Sequence, residues 1–186
     1  MRDKISEILR HCIKWYGLGI ETKICKIEKE LGIRKLHKDS VYFSVDIAEN
    51  FRENYQGYNF LGICLKDSGI MCLDIEGTPH SVDEFMGILE ENSLKIKDFL
   101  VETTMNGGLH LYFRVPKGWK MRNIYASKHG NINFDVLFNG KSFTSPSEFM
   151  GKSYKFLGRS VFDLNSIGDI PEFPKELYFL IRNMDK

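Results

Sequence analysis

No apolar run in the chain approaches the roughly 20 residues that a membrane span requires. The opening Met1 to Ile20 mixes Arg2, Asp3, Lys4, Glu7 and Arg10 among its apolar residues, which is not the pattern of a signal peptide. Both absences point to a soluble, cytoplasmic protein without a membrane partner. Cysteine is scarce: Cys12, Cys25, Cys64 and Cys72 show neither the C-x2-4-C pairing of a zinc site nor the density of a secreted disulfide scaffold. Four reduced, mostly buried thiols are the expectation. Repeats, linkers and low-complexity tracts are also missing, and 42% hydrophobic with 27% charged residues excludes a bias to disorder. A chain of 186 residues fits one ordinary domain, 1–186, with a conventional core.

Net charge is scarce as well, at +1, but its distribution is uneven. From Lys66 to Thr104 three Lys stand against nine Asp and Glu, a net −6. From Met105 to Ser160 nine Lys and Arg stand against Asp135 and Glu148, a net +7. Two solvated faces would produce such a split, and so would a catalyst that binds cations on one segment and a polyanion along another.

The hydrophobic period changes along the chain. Ile5, Ile8, Leu9, Cys12, Ile13 and Tyr16 repeat at helical spacing until Gly17 and Gly19. Helices are also expected from Thr22 to Leu31, closed by Gly32, and from Ser44 to Asn54, which makes 1–57 a helical N-terminal portion. The motif-bearing core then runs over 58–182. Tyr58 to Leu65 and Ile70 to Glu76 read as strands joined by a turn, and Ser81-Val82-Asp83-Glu84 reads as a capping box before a helix. Phe99 to Thr103 and Leu109 to Val115 read as strands around Asn106-Gly107-Gly108. Ile132 to Phe138 and Lys141 to Ser145 flank Asn139-Gly140, a strong hairpin signal. Pro174 to Ile181 reads as a terminal helix. The order predicts an α+β fold, mainly an antiparallel sheet with packed helices.

Three carboxylates are the candidates for chemistry. Asp74 and Glu76 end an apolar strand, where period-two geometry places them on one face about 6.6 Å apart along the backbone, with Ile75 turned to the core. That spacing suits oxygen ligands converging on hard divalent cations, and a strand that simply ends at solvent is the other open reading. Asp135 sits inside another apolar strand, with Ile132, Phe134, Val136 and Phe138 on its opposite face. A satisfied structural aspartate and a third ligand of a two-metal site are both open readings. His110 follows Gly107 and Gly108 and shares a strand face with Tyr112 and Arg114; glycines admit a phosphate close to the backbone, and an imidazole and a guanidinium beyond them could neutralise it.

These pieces, in this order, resemble the primase-polymerase branch of the archaeo-eukaryotic primase superfamily. Met71-Cys72-Leu73-Asp74-Ile75-Glu76 is similar to its first motif, and Thr103 to Phe113 with Gly107-Gly108-Leu109-His110 to its second. Asn133-Phe134-Asp135-Val136, with Ser145-Pro146-Ser147 behind it, is similar to the third. The resemblance covers Tyr58 to Ile181 and is thin upstream. It implies a primase-like α+β domain, with Asp74, Glu76 and Asp135 as catalytic residues binding two Mg²⁺ or Mn²⁺ ions. His110, Gly107, Gly108, Arg114 and Ser147 would hold a nucleoside triphosphate. The activity implied is template-directed nucleotidyl transfer, as DNA primase or DNA polymerase, on a single-stranded DNA template and primer. Lys117, Lys120, Arg122, Lys128, Lys152 and Lys155 would follow the backbone of the template. A helicase, encoded nearby or continuing the same chain, is an open partner. A catalytically inert nucleic-acid or nucleotide-binding module and a metal-dependent nuclease are the alternatives.

Overall fold

The computed structural model describes residues 4–30, 33–36, 40–119 and 122–181. The chain opens with helix α1 (Lys4–Gly17), which buries Ile5, Ile8, Cys12 and Trp15. Ile13 and Tyr16 stay about half exposed, so the buried stripe is turned toward Trp15 relative to the one predicted. Four short strands follow: β1 (Thr22–Cys25), β2 (Ile27–Glu30), β3 (Ile33–Leu36) and β4 (Val41–Tyr42). The expected helix over Thr22 to Leu31 is instead strand over Thr22–Cys25 and Ile27–Glu30, Leu31 and Gly32 lying outside the described residues, and the described N-terminal portion is helical only in part. Ile24, Ile27 and Leu31 mimic a helical stripe, but Thr22 and Ile24 are β-branched and pair with Ile63 and Leu61 of a later strand, where both are fully buried. The helix expected from Ser44 is a 3₁₀ turn, Val45–Ile47, and a single α turn, α2 (Phe51–Asn54).

Two larger sheets carry most of the rest. Strands β5 (Phe60–Cys64) and β6 (Ile70–Ile75) precede helix α3 (Pro79–Glu91). Next come β7 (Leu100–Thr103), β8 (Leu109–Arg114), β9 (Ile124–His129), β10 (Ile132–Leu137) and β11 (Lys141–Thr144). The two-residue strands β12 (Glu148–Phe149), β13 (Lys152–Ser153) and β14 (Lys155–Phe156) complete the set. One sheet runs β11-β5-β1-β4 and the other β14-β7-β8-β6-β10-β9, with antiparallel ladders in both, beside the small ribbons β2-β3 and β12-β13. This is the mixed helix and antiparallel sheet of an α+β fold. Among the described residues no helix is long and apolar enough to cross a membrane.

Asn139-Gly140 does not close a hairpin. Strand β10 pairs with β6 and β9, whereas β11 pairs with β5, so these two residues carry the chain from one sheet to the other. Gly140 takes φ of 99°, which suits glycine in a sharp corner as well as in a hairpin. Helix α3 likewise starts before the expected box, with Thr78 as its cap and Pro79 in its first turn. Buried Ser81 instead bonds the Asn131 carbonyl and the Asn133 N–H, fastening α3 to β10. Pro174 leads into a 3₁₀ segment, Lys175–Leu180, whose buried Leu177 and Leu180 lie three residues apart and so on one side of a three-residue turn.

Alternation along β6 divides the core. Ile70 and Cys72 face β1, β5 and α1, while Met71, Leu73 and Ile75 face α3 and the C-terminal 3₁₀ segment. The six-stranded sheet is thus covered on both sides.

The cysteines are free and buried, as expected. Burial pushes the Cys12 thiol up to about 12 and those of Cys25 and Cys64 to about 11, and raises Cys72 well above its ordinary value. All four are thus protonated at neutral pH. Iodoacetamide at pH 7.5 should label the native protein slowly and the urea-unfolded chain fully, as read by mass spectrometry. Rapid labelling of two or more cysteines in the native protein would contradict this packing.

Candidate active site

Strand β6 lies between β8 and β10, and the register brings four ionisable side chains into one row. Asp74 stands opposite His110 on β8 and opposite Asp135 on β10, and His110 stands opposite Glu102 on β7. Directly opposed residues share a sheet face with Cβ atoms roughly 5 Å apart. The row therefore reads Glu102, His110, Asp74, Asp135 across four adjacent strands, on the face toward the second sheet.

His110 is held from both sides. Its Nε2 lies 3.3 Å from Asp74 Oδ2, and its Nδ1 lies 3.5 Å from Glu102 Oε1 and 3.1 Å from the Phe143 carbonyl. Burial by itself lowers its pKa, but the hydrogen bonds and charges of Asp74 and Glu102 outweigh it and lift the ring to about 9. With a pKa of about 9 the ring is an imidazolium at neutral pH.

Glu102 is fully buried. Its Oε1 accepts from the Tyr112 hydroxyl at 2.6 Å, and its Oε2 accepts from Thr144 Oγ1 at 3.0 Å and the Ser145 N–H at 2.8 Å. Burial and the Glu102 charge raise the Tyr112 pKa, keeping the phenol a donor. Asp135 Oδ1 accepts from the Ala126 N–H at 2.7 Å, where β9 bulges against β10 and Ala126 takes φ of 52°. Glu76 is exposed just beyond β6. An open pocket of about 400 Å³ lies beside the row, lined among others by Asp74, Glu76, Thr104, Asn106, His110 and Tyr154.

Asp74, Glu76 and His110 therefore come together around the pocket, and Asp135 joins them through its register with Asp74. Gly107 makes the adjoining turn with φ of 83°. Gly108 approaches backbone closely, but the backbone of this chain: a side chain there would collide with the Ile75 carbonyl and the Gly77 N–H. Gly77 is packed reciprocally against Asn106 and Gly108, locking the end of β6 to the loop before β8.

Arg114 and Ser147 are not brought to the pocket. Arg114 lies four residues along β8 from His110, about 13 Å at strand rise, opposite Ile70, with its Nε donating to the Ile170 carbonyl at 2.7 Å. A shared strand face does not imply proximity. Ser147 is fully buried, and its Oγ accepts from the Leu61 N–H at 2.8 Å and donates to the Leu61 carbonyl at 3.1 Å.

Glu102 is the residue that sequence reasoning missed. It is a lone acid among Leu100, Val101 and Thr103, the same signal that singled out Asp135. Tyr154, whose ring centroid is 5.4 Å from that of His110, had no such signal.

Among the described residues no three His, Cys, Asp or Glu side chains are gathered into a group that holds a metal ion as they stand. The donor set still fits one. Two partly exposed carboxylates face each other across β6 and β10, Glu76 projects at the strand end, and like charges so placed are stabilised by a cation between them.

Fold and site together define an α+β protein with a carboxylate and imidazole row beside an open pocket on an antiparallel sheet. Residues 37–175 match the family described as bifunctional DNA primase/polymerase, N-terminal, also called Prim-Pol, and the chain belongs to that family. The match takes in every residue of the row and begins upstream of Tyr58, where the motif resemblance was thin. A comparison with individual curated proteins gave no match. At the level of the family, membership implies nucleotidyl transfer of the primase/polymerase kind.

Proposed function

We propose that the chain is a single catalytic domain for template-directed nucleotidyl transfer, acting in the cytoplasm as a DNA primase, a DNA polymerase or both. The observation that carries this reading is the register pair Asp74 and Asp135, set beside a doubly held His110 in the wall of a pocket. In the reaction the 3′-hydroxyl oxygen of a primer bonds to the α-phosphorus of a nucleoside triphosphate. The bond from that phosphorus to the β-phosphate breaks, the hydroxyl proton passes to water, and pyrophosphate leaves in line.

Asp74, Glu76 and Asp135 are the residues that would hold two Mg²⁺ or Mn²⁺ ions. Bound there, the ions would lower the pKa of the hydroxyl and offset charge on the departing pyrophosphate. His110 presents a positive charge toward the pocket and would bind the triphosphate. Glu102 orients that ring from behind, and Gly77 with Gly108 fixes the strand end that carries Asp74 and Glu76. Lys117, Arg122, Lys128, Lys152 and Lys155 are exposed and would meet phosphates of the primer–template; Lys120 lies outside the described residues. A helicase is the class of partner that would supply the single strand.

Incubation with a primed single-stranded template, triphosphates and Mn²⁺ tests the reading. Primer extension is the expected result. Shortening of the strand would make the chain a nuclease, and binding without turnover would make it an inert module; either would overturn the transfer reading.

A further inference from the structure

We propose that the free edge of the six-stranded sheet at β9, centred on Tyr125, receives the 3′ end of the strand being extended, with Tyr125 stacking on a base and Lys128 and Arg122 meeting its phosphates. The inference deepens the transfer reading and rests on it for the order of the reactants along the sheet.

Strand order supplies the direction. The pocket lies on the β7 and β8 side of Asp74, between the end of β6 and the loop before β8, and His110 stands in its wall. A triphosphate tail held by His110 places the leaving pyrophosphate on that side. In-line displacement requires the attacking oxygen to arrive from the opposite side, which is the side of β10 and β9. From β8 to β9 are three strand spacings, about 14 Å, so the row continues past Asp135 to an edge that, among the described residues, is unpaired on its outer side.

Tyr125 occupies that edge at the bulge opposite Asp135 and is 63% exposed. Single exposed aromatics are ordinary; the position and support of this one are not. The N–H of the next residue, Ala126, is tied to Asp135 Oδ1, which fixes the backbone at Tyr125 relative to the proposed metal site. Its hydroxyl accepts from Asn123 Nδ2 at 2.7 Å, while Asn123 Oδ1 accepts the N–H groups of Phe138 and Asn139. A ring anchored in this way loses little freedom on binding. Base stacking on an aromatic tolerates any base, as a strand end of arbitrary sequence requires.

The surrounding charge fits a polyanion. Arg122 and Lys128 are exposed on either side of Tyr125, and Lys117 is exposed upstream. The acid facing this edge is Asp135. Glu84, near the β9–β10 turn, has its oxygens taken by Asn131.

The test uses the whole chain, a fluorescein-labelled primer–template and Mn²⁺. In anisotropy titrations without triphosphate, Tyr125→Ala should weaken binding roughly tenfold, the scale of one base stacked on an aromatic. Tyr125→Phe, which keeps the ring and loses the hydroxyl, should stay within about threefold of wild type on the same scale. Lys128→Ala should reduce the slope of log affinity against log salt by about 0.9, the value for one phosphate of a duplex. In single-nucleotide extension, the KM for the triphosphate should be unchanged in all three variants. Tyr125→Ala binding the primer–template as wild type does, or raising the triphosphate KM instead, would overturn this surface while leaving the transfer reading intact. If wild type binds but does not extend, the transfer reading falls and the anisotropy result still decides whether Tyr125 meets the strand.

Discussion

Asp74→Ala is expected to lower nucleotide incorporation by at least about 100-fold, since a divalent ion supplies several kcal/mol of charge stabilisation and each 1.36 kcal/mol is tenfold in rate. Glu76→Ala and Asp135→Ala should do the same. The fold should survive each change. Asp74 is one third exposed and Glu76 is exposed, so neither leaves a buried cavity. His110 keeps Glu102 and the Phe143 carbonyl when Asp74 is removed. Asp135→Ala frees the Ala126 N–H at an exposed edge, which costs about 1 kcal/mol. The measurement is single-turnover extension beside thermal melting for each variant. Near-wild-type extension by any two of the three would remove the metal triad from the mechanism.

The second large effect concerns stability. Glu102→Ala should destabilise the protein by about 3–5 kcal/mol, because it breaks a fully buried charge network rather than replacing it. Three donors, the Tyr112 hydroxyl, the Thr144 hydroxyl and the Ser145 N–H, lose their acceptor together, and each stranded group costs about 1–3 kcal/mol. Against a total stability of about 5–15 kcal/mol this is a large fraction. Glu102→Gln keeps one acceptor oxygen and should cost less, but its amide NH₂ must face a donor or the His110 ring. The Gln variant therefore tests positioning: it should fold, and its KM for the triphosphate should rise while its affinity for the primer–template holds. Urea unfolding reads the first effect and steady-state extension the second. Wild-type stability in Glu102→Ala would mean that these hydrogen bonds contribute nothing net.

Glu102 also marks the line between what was legible in the chain and what was not. Alternation is a local property of the extended backbone. It assigned Ile75, Phe134 and Val136 to the core and left Asp74, His110 and Asp135 on the faces where the structure has them. Family membership was legible for a related reason, since the motifs are short stretches whose order survives in the linear chain. Which strand lies beside which is not local. Asn139-Gly140 has the composition of a hairpin, yet the flanking strands belong to different sheets: β11 pairs with β5, and its Thr144 hydroxyl donates to buried Glu102. Arg114 shares a face with His110 and stands about four residues of strand rise away, bonded to Ile170. Thr22 to Leu31 carries a helical stripe, and pairing with β5 overrode it at β1.

By itself, then, the sequence determined the period of the motif-bearing strands, hence the faces of Asp74, His110 and Asp135, and the family to which the chain belongs. The tertiary structure decided the register that sets Asp135 against Asp74, the burial of Glu102 behind His110, and the removal of Arg114 and Ser147 from the pocket. Side-chain direction follows from two backbone dihedrals per residue. Strand neighbours and register follow from burying both faces of two sheets at once, a condition that no single segment contains.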